Sequence, residues 1–71
     1  MDYQPVSSST IATVGYDDAT STLGVTFIKG GVYHYHGVPR AIFDGLLTAS
    51  SVGSYIDANV KKAGYPYSKV G

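Results

Sequence analysis

The clearest chemical signal in this chain is the run Tyr33-His34-Tyr35-His36. Side chains two residues apart on a strand point to the same face, so the two tyrosines share one face and the two histidines share the other. The tyrosine rings could stack on nucleic-acid bases, or they could belong to the core with their hydroxyls bonded at its rim. The sequence leaves both alternatives open, and the usual burial of aromatic residues in small domains favours the core.

His34 and His36 could bind a transition metal, because two imidazoles on one strand face are a workable pair of ligands. Two ligands do not make a metal site, and a third would have to come from Asp17, Asp18 or a neighbouring subunit. We therefore expect two solvent-facing histidines, and we expect the chain to use neither a metal nor another cofactor.

No residue pattern in the chain indicates catalysis. The serines at 7–9 would need a base and an oxyanion hole, and the spacing indicates neither. The aspartates at 17–18 are typical of a turn, and the glycines at 30–31 join two strands instead of opening a helix around a phosphate. The chain contains no cysteine and hence no thiolate nucleophile. The sequence therefore predicts a protein that is not an enzyme.

Size and charge restrict the function further. A chain of 71 residues has room for one domain, which we place at residues 1–71. Five acidic and five basic residues cancel, which argues against a general phosphate-backbone binder and mildly favours a homo-oligomer. We expect no membrane association and a cytoplasmic protein, because no apolar run could cross a bilayer and residues 1–6 lack the features of a signal peptide.

Three predicted strands should position the candidate tyrosines and histidines. Alternating β-branched and apolar residues predict strands over residues 10–16, 22–28 and 32–36. Aspartates at 17–18, whose side chains bond to nearby backbone, and glycines at 30–31, which accept positive φ, supply the two turns.

Two short helices should follow the strands. Pro39 suits the first position of a helix, and helical spacing continues to about Thr48. Ser50 or Ser51 caps a second helix, for which Gly64 is a natural end. The predicted fold is therefore α+β, with a three-stranded antiparallel β-meander followed by two short helices packed on one face. The strand face of Leu23, Val25 and Phe27 should meet Ile42, Phe43, Leu46, Tyr55, Ile56 and Val60.

The loop between the second and third strands determines which face the tyrosines join. A two-residue loop places His34 on the face of Phe27, whereas a three-residue loop, 29–31, places Tyr33 and Tyr35 there. We favour the longer loop, because it packs the rings against the apolar face of the second strand and leaves the imidazoles in water.

The two chain ends and the basic residues complete the candidate site. Residues 1–8 should form a loosely held arm, whereas residues 65–67 form an aromatic tail that is either a lid or a contact surface. Several lysines lie close together near the C-terminus and could form a local positive patch despite the zero net charge. The candidate residues for binding a nucleic acid or a partner are Tyr33, Tyr35, Arg40, Lys61, Lys62, Tyr65, Tyr67 and Lys69.

A series of short motifs extends over nearly the whole chain, from about Ser8 to Tyr67. The motifs are Ser9-x-Ile11, Gly15-Tyr16-Asp17, Leu23-x-Val25-x-Phe27, Gly30, Tyr33-x-Tyr35, Val38-Pro39, Ala49-x-Ser51-Val52-Gly53-x-Tyr55 and Tyr65. In this order they resemble the KTSC domain, in which the central Tyr-x-Tyr is the recognisable motif. That domain is named for the C-terminal extension of some lysyl-tRNA synthetases, and it also occurs alone as a short bacterial or phage protein.

The resemblance suggests an RNA-associated role, because the family includes an extension of a tRNA synthetase. Our first hypothesis is therefore a small non-enzymatic module that binds nucleic acid, with RNA as the favoured ligand. A second hypothesis is a protein-interaction or self-associating accessory protein, such as a small phage protein that engages a host factor. A third is capture of a small nucleotide between aromatic rings at a subunit boundary.

Overall fold

A five-stranded antiparallel sheet, in the order β1-β2-β3-β4-β5, packs against two short helices in the computed structural model, which describes residues 1–71. The second helix continues into a π-helical segment that we call the π turn. The elements are β1 (Tyr3–Pro5), β2 (Ile11–Asp17), β3 (Thr22–Phe27), β4 (Val32–Tyr35), α1 (Arg40–Leu47), α2 (Val52–Ile56), the π turn (Asp57–Lys61) and β5 (Tyr67–Lys69). No helix in the chain has the length and apolar character needed to cross a membrane.

The predicted α+β class is confirmed, but the sheet has five strands where the sequence indicated three. β1 lies within residues 1–8, where we expected a loosely held arm, and β5 lies in the aromatic tail. Both strands have only three residues, and every one of them is exposed. Neither strand therefore shows the alternation by which longer half-buried strands are recognised.

The pairing of β3 with β4 places the two tyrosines on the helix side of the sheet, which we call the inner face. Val25 pairs with Tyr33, and Leu23 pairs with Tyr35. The preferred facing is confirmed, although the loop lies one residue earlier than predicted. Phe27 N donates to the Gly31 carbonyl at 3.0 Å, so the three-residue loop is 28–30. A shift of this loop by one residue at both ends preserves which side chains share a face.

A β-bulge in β2 changes the face of one residue. The sequence alternation assigns Ile11 and Val14 to opposite faces, whereas both are buried in the same core. The irregularity lies between Ile11 and Thr13, where the pairing with β3 shifts by one residue. The extra residue turns Ile11 inward, as bulges commonly re-aim a side chain near a sheet edge.

The helices begin and end close to the predicted positions. Pro39 occupies the N-cap of α1, one residue earlier than expected. The Ser51 side chain accepts a hydrogen bond from Ser54 N at 3.4 Å and so caps α2. Gly64 has a φ of 82°, a left-handed conformation that favours glycine and follows the end of the helical segment.

The core lies between the inner face of the sheet and the helices, as the sequence predicted. Partly buried side chains, including those of Phe27, Tyr33, Ile42 and Tyr55, pack around it. Its eleven buried residues are Ile11, Val14, Leu23, Val25, Tyr35, Val38, Phe43, Leu46, Val52, Ile56 and Val60.

Candidate functional site

An open groove on the inner face runs between β4, β5 and the end of the π turn. Its volume is about 910 Å³. β4 supplies its floor, and the segment that leads from the π turn into β5 supplies one wall. The groove is lined by Phe27, Gly30, Tyr33, Tyr35, Lys61, Gly64, Tyr65, Pro66 and Tyr67.

The rings in the groove form a connected aromatic cluster. Phe27 and Tyr33 meet edge to face, with centroids 5.5 Å apart and an interplanar angle of 84°. Tyr67 reaches over from β5, and its centroid lies 5.9 Å from that of Tyr33 and 5.6 Å from that of Tyr35. These separations lie in the range of favourable aromatic pairs, so the rings hold one another in place.

The tyrosines differ in how much of each ring a ligand could reach. Tyr35 is only 4% exposed and belongs to the core, so the alternative of a buried tyrosine is correct for it. Burial, followed by the negative fields of ionised Tyr33, Tyr67 and Asp57, raises the pKa of Tyr35. Tyr33 is half-buried, whereas Tyr67 is 64% exposed. Tyr67 therefore offers the most accessible stacking surface in the groove.

Lys61 brings positive charge to the edge of the groove. Its Nζ lies 5.0 Å from the centroid of the Phe27 ring, within the range of cation–π attraction. The same ammonium contacts the Asp57 carboxylate at 3.4 Å, one helical turn earlier. Lys61 thus lies between an aromatic face and a carboxylate, with almost half of its side chain exposed to solvent.

The other three predicted basic residues do not line the groove, and they lie in different places. Lys69 pairs in register with Tyr33 across β4 and β5, so it lies beside the groove. Lys62 is exposed and does not line the groove. Arg40 is placed elsewhere, because it pairs with Asp18 at 2.6 Å and Asp44 at 3.0 Å.

The arrangement around Arg40 is a structural corner. Its guanidinium also lies 5.6 Å from the Tyr16 ring centroid and 5.5 Å from that of Phe43, and these two rings stack on each other. The hydroxyl of Tyr16 donates to the Val38 carbonyl, which fixes the start of α1 against β2. Arg40 therefore lies at this corner and does not line the groove with Lys61, and its assignment to the binding site stays a prediction.

A smaller pocket of about 340 Å³ adjoins the groove and shares Phe27 and Lys61 with it. Sequence reasoning missed this pocket, and the only signal for it was Lys29 in a turn next to the aromatic strand. The pocket is lined by Ser9, Thr10, Ile11, Phe27, Lys29, Gly53, Ile56, Asp57 and Lys61.

The histidines lie on the opposite, outer face of the sheet, as predicted. His36 is exposed, and its Nε2 lies 3.5 Å from the Ser68 hydroxyl. His34 is half-buried instead of solvent-facing, because the Tyr3 hydroxyl lies 2.9 Å from its Nε2. The structure places no third His, Asp or Glu side chain with them that would complete a metal site.

The N-terminal segment covers this outer face. Tyr3, Gly15, Gly24 and His34 form one row across the first four strands. The two glycines leave a trough, and a Cβ on Gly24 would overlap both the Tyr3 ring and the Met1 side chain. Burial there raises the pKa of Tyr3. The outer face is thus occupied by the chain itself, whereas the inner groove is open.

Comparisons with known proteins agree with one another. The family model of the KTSC domain matches residues 7–65. A protein of Tsukamurella paurometabola is 45% identical over 58 residues, which cover 82% of this chain and 87% of that protein. An uncharacterized protein of Stutzerimonas stutzeri is 32% identical over 65 residues, or 92% of each chain. The crystal structure of a KTSC domain protein from Yersinia pestis matches with a TM-score of 0.90 at 37% identity, covering 99% of this chain and 97% of that one.

Proposed function

Since this chain belongs to the KTSC domain family and its aromatic groove lies beside lysines, we propose that it is a small non-enzymatic module that binds single-stranded RNA. The observation that carries the proposal is the groove itself, in which tyrosine rings from two strands surround a space next to a lysine. Its volume of about 910 Å³ lies within the usual range for small-molecule sites, so the groove has room for a nucleobase.

Base stacking would supply most of the affinity. A base stacked on an aromatic side chain contributes about 1–3 kcal/mol, and such stacking tolerates different sequences because every base has a flat face. Tyr67 and Tyr33 offer the accessible rings, and Tyr35 supports them from the core. The rings are held by their mutual contacts, so little freedom is lost when a base is inserted.

The distribution of charge also supports the proposal. Lys29, Lys61 and Lys69 all lie near the turn between β3 and β4. Asp17, the last residue of β2, and Asp18, which follows it, lie at the other end of β3. A chain of zero net charge therefore presents a positive end, and the groove is at that end.

The proposal assigns no chemical step to the groove. Its ionisable groups are tyrosines and one lysine, and that lysine is paired with Asp57. General acid–base catalysis most often uses a histidine or carboxyl groups, and the lining of the groove contains neither. Binding is the activity that this set of side chains supports.

The test is a fluorescence-anisotropy titration with labelled single-stranded RNA and transfer RNA, at low and at physiological salt. Replacement of the exposed ring by Tyr67→Leu should weaken binding about tenfold, because that factor corresponds to the loss of one stacked base. Tyr67→Phe keeps the ring and should bind like the unmodified chain. Tyr3→Leu, which alters a tyrosine on the outer face, is the matched control and should not change the affinity.

Two results would contradict the proposal. The first is the absence of RNA binding even at low salt, where electrostatic attraction is strongest. The second is equal weakening by the leucine variants of Tyr67 and Tyr3, because a groove on the inner face cannot explain an effect from the outer face.

A second candidate function is self-association through the edge strand β5. The Pro66 carbonyl accepts a hydrogen bond from His36 N at 2.8 Å, and Val70 N donates one to the Val32 carbonyl at 2.7 Å. Because hydrogen-bonded positions alternate in an antiparallel pair, the backbone N–H and C=O groups of Tyr67 and Lys69 point away from β4. Such groups can pair with the same strand of a second copy.

Light scattering over a concentration series tests this candidate. A dimer that is lost in Lys69→Pro, which removes an outward N–H, would support it. A monomer at all concentrations would rule it out.

A further inference from the structure

The aromatic groove and the smaller pocket are two halves of one continuous surface. Phe27 and Lys61 line both of them, so the Lys61 side chain forms the boundary. The two halves differ in chemistry. The groove presents mainly tyrosine rings. The smaller pocket presents hydroxyl groups from the residues just before β2 and charged groups from the β3–β4 turn and the π turn.

The polar groups of the smaller pocket suit an anion. Lys29 and Lys61 contribute two positive charges, and the hydroxyls of Ser9 and Thr10 can donate hydrogen bonds. Asp57 opposes them with one negative charge, but its carboxylate already contacts Lys61 at 3.4 Å. The pocket therefore has a net charge of +1, from two lysines and one aspartate.

Glycine at position 53 keeps this pocket in its present shape. A Cβ there would lie 2.7 Å from the Thr10 Oγ1 and 3.8 Å from the Ser8 Oγ. A side chain would therefore displace the Thr10 hydroxyl, since real Cβ contacts are not as short as 2.7 Å, whereas its contact with Ser8 would be an ordinary one. The bare glycine lets Thr10 keep its hydroxyl at the wall of the pocket.

We propose that the smaller pocket is a phosphate subsite, so that a nucleotide lies across Lys61 with its base in the aromatic groove and its phosphate between Lys29 and Lys61. The inference rests on the proposed function, and it adds where the phosphate is held and by which residues. The phosphate could belong to a free nucleotide or to an RNA strand, and the chemistry of recognition is the same. The base stacks on Tyr67 or Tyr33, while the two ammonium groups and the Thr10 hydroxyl contact the phosphate oxygens.

Two probes that differ only by a phosphate test the subsite. Adenosine and adenosine monophosphate are titrated into the isotope-labelled protein, and backbone amide shifts are followed by NMR. Adenosine should perturb amides that line the aromatic groove, such as those of Tyr65 and Tyr67. The monophosphate should perturb these and also the amides of Thr10, Lys29 and Gly53.

A matched pair of variants separates local contact from net charge. Lys29→Gln and Lys62→Gln remove the same charge, but only Lys29 lines the smaller pocket. Lys29→Gln should weaken binding of the monophosphate about fivefold, and Lys62→Gln should change it by less than about twofold. Neither variant should alter adenosine binding, because adenosine has no phosphate.

A single-stranded oligonucleotide identifies the source of the phosphate. If the subsite holds a phosphate of the strand, Lys29→Gln should reduce the slope of log affinity against log salt by about 0.7. If only the monophosphate responds to Lys29→Gln, the subsite holds the phosphate of a free nucleotide.

Failure of the subsite can be distinguished from failure of the proposed function. If the unmodified chain binds adenosine and the monophosphate equally well, or if the two glutamine variants behave alike, the subsite is wrong and base binding stands. If the chain binds neither the two probes nor the oligonucleotide, the proposed function fails and the subsite fails with it.

Discussion

The substitution Gly24→Ala tests whether the N-terminal segment covers the outer face of the sheet. Gly24 lies beneath the Tyr3 ring, and an added Cβ would overlap that ring and the Met1 side chain. Met1 is flexible and can move aside, whereas the Tyr3 ring is rigid and its hydroxyl contacts His34. Gly24→Ala should therefore displace Tyr3 from the trough.

The size of the effect follows from the burial of Tyr3. The residue is 38% exposed, so its ring buries somewhat more than half of its surface. At about 25 cal/mol per Å², over roughly 100 Å² of apolar surface, this burial contributes about 2.5 kcal/mol. Alanine in a strand gains about 0.5–1 kcal/mol over glycine, which offsets part of the loss. We expect a net destabilisation of about 1.5–2 kcal/mol, or roughly 6–16 °C in Tm for a domain of this size.

A double-mutant cycle makes the prediction specific. Once Tyr3→Ala has removed the ring, Gly24→Ala should become neutral or stabilising, because only the gain in strand propensity remains. Gly45→Ala is the control, since its Cβ would overlap the Tyr55 hydroxyl between the helices and not Tyr3. Gly45→Ala should have the same effect with and without Tyr3.

Urea denaturation followed by circular dichroism gives the four free energies of unfolding for each cycle. Equal destabilisation by Gly24→Ala in both backgrounds would refute the reasoning, because the ring would then not be the obstacle. An unchanged stability of the single variant would refute it as well.

Two further predictions concern titration and charge. The pKa of Tyr35 is raised, so the native state favours the neutral phenol. Above the ordinary tyrosine pKa of about 10, the unfolded state therefore holds fewer protons than the native state, and the free energy of unfolding should fall as the pH rises. Tyr35→Phe should reduce this fall, measured as the free energy of unfolding from neutral to alkaline pH, and an unchanged profile would contradict the assignment. Arg40→Gln should lower Tm slightly, because the variant loses the ion pairs with Asp18 and Asp44. RNA affinity should not change, and weaker RNA binding by this variant would show that Arg40 belongs to the binding site.

The central hairpin of the fold could be predicted because its apolar residues alternate strictly. Leu23 and Val25 identify β3, and the preference for packing rings against them identifies the face of Tyr33 and Tyr35. The turn between β2 and β3 could also be predicted, from the hydrogen bonding of aspartate side chains to nearby backbone; there Asp17 accepts a hydrogen bond from Ala19 N at 3.0 Å. The motif series also identified the family, which the match over residues 7–65 confirms.

The edge strands β1 and β5 could not be predicted, because each is recognised only by its pairing with a strand that is distant in the sequence. β1 pairs with β2 and β5 pairs with β4, but neither three-residue segment has a periodicity of its own. The same limit applies to the site. The sequence grouped Tyr65 and Tyr67 with the central tyrosines, and β5 does bring them together. It could not show that Arg40 would meet Asp18, 22 residues earlier in the chain.

The zero net charge of the chain is a weaker argument against RNA binding than the sequence suggested. The molecule measures 28 × 24 × 22 Å, whereas the Debye length at physiological ionic strength is about 8 Å. β3 separates the acidic turn from the lysine-bearing turn by six residues, or roughly 20 Å at the usual strand rise. The carboxylates at one end are therefore largely screened from a phosphate at the other end. The local charge that a strand of RNA would meet at the groove comes from Lys29, Lys61 and Lys69 together with Asp57, which contacts Lys61. These four side chains carry a net charge of +2, whereas the sum over all 71 residues is zero.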